Sequence, residues 1–124
     1  MKRLIFILLI IISIGGCKKN EESLPEQVIG KWEWVKTILP MVGQETNPQT
    51  AGFSMALEFS DNGTVKEYKN GLLIGTSSYA ITTDQYGDVL TSTVITSHFY
   101  FENSTLIFSE AYLDGPVHYY SRFK

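Results

Sequence analysis

From Gly30 onward, apolar residues recur at every second position or in short runs, and no window of helical length carries an apolar stripe at period 3.6. The clearest alternation sets Phe53, Met55, Leu57 and Phe59 on one face against Ser54, Ala56, Glu58 and Ser60 on the other, the period of a strand with one covered side. Asp61-Asn62-Gly63 ends that strand, because Asn and Gly accept the positive φ that a tight hairpin requires. The same reading predicts strands near 30–38, 53–59, 64–69, 73–82, 88–94, 96–102, 105–112 and 116–123. Asn70-Gly71 is a two-residue hairpin signal, and 84–87, 102–104 and 113–116 supply further turns. The join near Ile95 has no turn residue of its own, so the pattern permits seven strands as well as eight.

Strands joined in sequence order by short connections make an antiparallel up-and-down meander. Left open, it would present unpaired backbone groups on its first and last strands. Closure removes both edges, and eight strands leave an interior that side chains fill or that holds one small ligand. The expected fold is therefore all-β, a roughly eight-stranded closed barrel over residues 29–124. A chain of 124 residues supports one such core and no second domain.

The N-terminus follows different rules. Lys2 and Arg3 precede an apolar run from Leu4 to Ile14, broken only by Ser13. That run is too short for a permanent span, which needs roughly 20 residues, so residues 1–16 read as a secretion signal. Ile14-Gly15-Gly16-Cys17 resembles a bacterial lipoprotein cleavage box. The resemblance implies lipid attachment at Cys17, through several acyl chains that together anchor the protein permanently in a membrane. Cys17 is the only cysteine, which excludes an intramolecular disulfide. Residues 17–28 then read as the lipidated cysteine and a polar, flexible tether. Lysine, not the aspartate that resembles an inner-membrane retention signal, follows Cys17. The expected location is the outer membrane of a Gram-negative envelope, on either face. Loss of Lys2 and Arg3 takes the formal net charge from −3 to about −5. An acidic surface without a basic patch argues against nucleic acid as a partner.

Gly30-Lys31-Trp32 opens the first predicted strand and Arg122 lies in the last. With an even strand count the last strand finishes where the first begins, which brings Arg122 beside Trp32. A Gly-x-Trp in the first strand with an Arg in the last resembles the lipocalin superfamily, in particular its small lipid-anchored bacterial members. The resemblance implies that Gly30, Trp32 and Arg122 close the barrel, the indole plugging one end and the guanidinium lying across it. Such a stack is worth ~0.5–2 kcal/mol. It also implies a ligand-binding role, with the long connection over 40–52 acting as a lid above a mouth that faces away from the membrane.

Seven Tyr, seven Phe and two Trp supply many rings for a small barrel. The candidate ligand-binding residues are Trp34, Phe53, Met55, Leu57, Tyr79, Phe99, Phe101 and Tyr119, with Phe59, Ile81, Leu106, Phe108 and Val117 completing the expected interior. If space remains among them, they form an apolar pocket near the mouth, oriented by tyrosine hydroxyls, for a small hydrophobic or amphipathic ligand. If they pack solid, the barrel acts through its exterior or mouth loops as an accessory, interaction or inhibitor module. Lys36 should face inward with Trp32 and Trp34 unless a bulge shifts the phase. There it could meet a ligand carboxylate or lie at the rim in water. Alternation from Phe99, Phe101 and Tyr119 sends His98 and His118 outward on strands separated by a third, so they are not expected to share a metal. No phosphate loop and no nucleophile with a partnered base is recognisable. Neither enzymatic activity nor a cofactor is expected, and the protein is expected to be a monomer.

Overall fold

The computed structural model describes residues 24–110 and 113–123. Cys17, the secretion signal expected over 1–16 and the first part of the expected tether lie outside the described residues. The strands are β1 (Gly30–Leu39), β2 (Gln44–Thr46), β3 (Met55–Phe59), β4 (Thr64–Lys69), β5 (Leu72–Asp84), β6 (Gly87–Ser92), β7 (Thr96–Glu102), β8 (Thr105–Ser109) and β9 (Val117–Arg122), with short helices α1 (Leu24–Val28) and α2 (Pro48–Ala51). From β3 to β9 each strand pairs antiparallel with the next, and β1 pairs with both β3 and β9. Eight strands thus close into an up-and-down barrel. The ninth, β2, is an arm on β1: Thr37–Leu39 pair with Gln44–Thr46, while Gly30–Glu33 pair with Ala56–Phe59 of β3.

The ambiguous join near Ile95 is a turn, which settles the barrel at eight strands. A serine makes it. The Ser92 hydroxyl donates to the Ile95 carbonyl at 2.8 Å and accepts from the backbone N–H groups of Val94 and Ile95 at 3.2 and 2.9 Å. Ser and Thr side chains substitute for Gly or Asn chemistry in this way.

The β1–β9 register decides which side chains enter the barrel. Trp32 lies opposite Arg122 and Trp34 opposite Tyr120; the register then shifts, with Lys36 opposite Tyr119 and Thr37 opposite His118. Directly paired residues share a face, and a bulge inserts one residue and reverses the phase. Lys36 therefore faces outward, 3.7 Å from Glu45 and with its ammonium 4.8 Å from the centre of the Tyr119 ring. The expected phase of β9 is corrected by the same register. Tyr120 and His118 share the inner face with Arg122, whereas Tyr119 and Val117 face outward.

The interior is closely filled. Val28, Trp32, Trp34, Leu57, Phe59, Val65, Leu90, Phe99, Leu106, Phe108 and Tyr120 form one buried cluster. Phe108 meets Tyr120 edge-on at 5.6 Å, and Phe59 meets Tyr79 edge-on at 5.1 Å, arrangements favoured by the ring quadrupoles. At the base, Trp32 is 1% exposed and donates its indole N–H to the Val28 carbonyl at 2.8 Å. Arg122 places its guanidinium carbon 4.2 Å from the centre of the Trp32 ring and donates to the carbonyls of Gln27 and Ile29. The tether expected over 17–28 is accordingly shorter. Leu24–Val28 is helical, and Val28 is fully buried under the barrel floor.

Candidate functional site

The open end lies opposite that floor, where the upper parts of β1, β3 and β9 meet the chain leaving β2. The 40–52 connection is a built structure: after β2, Asn47 caps α2, its side chain accepting from the Thr50 N–H at 2.9 Å while the Thr50 hydroxyl accepts from the Asn47 N–H at 3.0 Å. Pro48 suits the first turn of a helix, and Gly52 ends it in the left-handed conformation at φ 81°. That turn delivers Phe53 onto Trp34, the two rings stacked at 5.8 Å with 22° between their planes. Beneath the stack is a pocket of about 190 Å³ lined by Trp34, Thr37, Phe53, Met55, His118 and Tyr120.

A chain of hydrogen bonds fixes the polar side of this pocket. The Trp34 indole N–H donates to the Thr37 hydroxyl oxygen at 2.9 Å, and that oxygen is 2.7 Å from His118 Nδ1. Burial holds His118 below its ordinary value of 6.5, so the ring is neutral at pH 7. Accepting from the indole leaves the Thr37 oxygen its own proton and a second lone pair, either of which can complete the bond to Nδ1. Burial, reinforced by Glu67, pushes the Tyr120 hydroxyl far above the usual tyrosine value, so it too stays protonated. Among the described residues neither His118 Nε2 nor the Tyr120 hydroxyl has a hydrogen-bond partner, yet no buried side-chain polar atom is left unpaired. Both groups are therefore open to the pocket and neutral, the Tyr120 hydroxyl as a donor. At the rim the Lys69 ammonium lies 4.6 Å from the centre of the Phe53 ring.

The eight candidate ligand-binding residues separate into three groups. Trp34, Phe53 and Met55 line the mouth pocket. Leu57 and Phe99 are 2% and 3% exposed within the packed core, and Phe101 packs against Trp32 at the base with ring centres 5.8 Å apart. Tyr79 also lies low in the barrel, donating its hydroxyl to the Ser60 carbonyl at 2.9 Å, and Tyr119 is outside. Sequence reasoning missed Thr37, His118, Tyr120 and Lys69. The signal for two of them was present, because an inward Arg122 implies inward Tyr120 and His118 at period two.

His98 faces outward as expected, but it is held. Its Nε2 lies 2.8 Å from an Asp84 carboxylate oxygen and its Nδ1 3.3 Å from a Glu110 oxygen. The bond to Asp84, then the bond to Glu110, raise the histidine, and the same imidazole lowers Asp84. With a carboxylate on each nitrogen, the ring is a clasp between the end of β5 and the segment after β8. Among the described residues no three His, Cys, Asp or Glu side chains are placed to hold a metal ion.

No protein-family model matches the chain, and no curated protein matches its sequence.

Proposed function

We propose that this protein is a lipid-anchored, lipocalin-like barrel of the Gram-negative envelope that binds a small amphipathic molecule at its mouth. One observation carries the reading: a stacked Trp34–Phe53 wall shares a pocket of about 190 Å³ with two neutral polar groups, the His118 imidazole and the Tyr120 hydroxyl. Aromatic walls with a few convergent polar groups are the usual makeup of a ligand site. The pocket's size sets the ligand's size. An apolar cavity of about 150 Å³ takes one benzene ring, so about 190 Å³ suits one substituted ring or a short chain. The Tyr120 hydroxyl selects an oxygen acceptor on it, beside the Lys69 ammonium at the rim and the inward Glu67 carboxylate. Long fatty acids, retinoids and haem are too large while the packed floor remains closed. Cys17 and the preceding signal support the anchor, and the position of α1 at the base points the mouth away from the membrane.

Titration with p-cresol, benzyl alcohol and palmitate, followed by tryptophan emission, tests the reading. Saturable quenching by the single-ring compounds, lost in Trp34→Phe, is the expected result; no response to any of them contradicts it. A second reading, a filled barrel acting on another protein, is favoured by the exposed run Leu72, Leu73 and Ile74 at the start of β5. Failure of every small ligand, with Leu73→Ser abolishing co-purification of a partner, would select it.

A further inference from the structure

A depression larger than the mouth pocket is found elsewhere in the described structure. It lies at the base and has a volume of about 510 Å³, within the ~300–1,000 Å³ range of small-molecule sites. Strand lengths create it. β5 has 13 residues, but only its upper part, Leu72–Ser78, pairs with β4; Tyr79–Asp84 pair with β6 and overhang the barrel floor. The overhang, the turn after β3 and α1 make three walls.

Their chemistry is uneven. Ile29, Tyr79 and Ile81 give the cleft an apolar floor, and Glu26 and Asp61 bring two carboxylates to it from opposite walls. The backbone contributes as well. The Tyr79 N–H points toward β4, donating to the Gly63 carbonyl at 2.9 Å. The N–H and C=O of Ile81, two residues on, face the same way, and among the described residues no strand lies beside them. Among the described residues no cationic side chain lines the cleft. The Tyr79 ring is held in place by its bond to Ser60, and Asp61 together with burial raises its hydroxyl, which keeps it neutral.

We infer that this cleft is a second binding site, for a small organic cation with an apolar body. Its ammonium or guanidinium group is held by Glu26 and Asp61, and its hydrocarbon lies against Ile29, Tyr79 and Ile81. A carboxylate-bearing molecule is repelled here.

The test is methyl-resolved NMR of the full-length protein with isoleucine and methionine methyls labelled, titrated separately with naphthylmethylamine, naphthoate and naphthylmethanol. The amine is expected to shift the Ile29 and Ile81 methyls saturably while Met55, in the mouth, stays still. Naphthoate should leave Ile29 and Ile81 unmoved, and naphthylmethanol should bind there about tenfold more weakly or less. Glu26→Gln with Asp61→Asn should weaken the amine by a similar factor. Equal binding of amine and alcohol, shifts confined to Met55, no saturable shift, or undiminished binding by the double variant each overturns the inference. If the double variant loses its native spectrum, the amine–alcohol comparison on the unaltered protein decides alone. Because Met55 reports the mouth separately, failure at the base is distinguishable from failure of the proposed function.

Discussion

Trp32 and its neighbours show how much rests on a few side chains. The indole is fully enclosed, hydrogen-bonded to Val28 and covered by Arg122. Trp32→Ala should cost about 3–5 kcal/mol in equilibrium denaturation, through lost burial and the cavity left behind. Gly30 has φ 127°, and a Cβ there would collide with the Arg122 guanidinium, so Gly30→Ala should cost about 1–3 kcal/mol from backbone strain alone. The two histidines make opposite predictions about pH. His98 is raised in the folded protein, so its contribution is complete below the unfolded value near 6.5 and is lost as pH rises through the higher folded value. Its partner Asp84 is lowered, so that carboxylate contributes above about 3.8 and is lost as pH falls through its folded value. His118 is lowered by burial; its contribution is present above about 6.5 and is lost as pH falls through the folded value. Denaturant midpoints across pH 5–9 should therefore lose part of their alkaline decline in His98→Gln and part of their acid decline in His118→Gln. Unchanged profiles in both variants would contradict the assigned environments.

Elements were legible to different degrees, for identifiable reasons. Strands bounded by Asn-Gly or Asp-Asn-Gly turns lie where alternation put them, because those residues fix both the turn and the register. The β6–β7 turn was ambiguous because a serine side chain, not a glycine, shapes it. Ser92→Ala should cost about 1–2 kcal/mol through the loss of its hydroxyl bonds, and a change within measurement error would mean that the backbone alone holds the turn. The bulge after Trp34 was posed by the inward phase of Lys36 and resolved only by pairing with β9. Tyr119 was misplaced because phase was taken from the bulkier-looking residues of β9, when Arg122 already determined it. Leu24–Val28 read as tether because one buried valine among polar neighbours leaves no periodic trace.

At the scale of the molecule, the sequence pattern contained the closed barrel and the meeting of its ends, since both follow from strand count and edge satisfaction. The pocket was less visible. Its aromatic wall could be read from alternation, but Thr37 turns inward only through the bulge after Trp34, and the bond chain linking Trp34, Thr37 and His118 leaves no trace in the sequence. Nor does sequence periodicity reveal that β5 overhangs its neighbour and opens a cleft at the base. The proposed ligand is a single ring seated at the mouth above a filled interior. Intermolecular nuclear Overhauser contacts from bound p-cresol test it most directly. Contacts to the Met55 methyl, the Phe53 ring and His118, with none to Leu106 or Phe101, are predicted; contacts to Leu106 or Phe101 in place of these would contradict it.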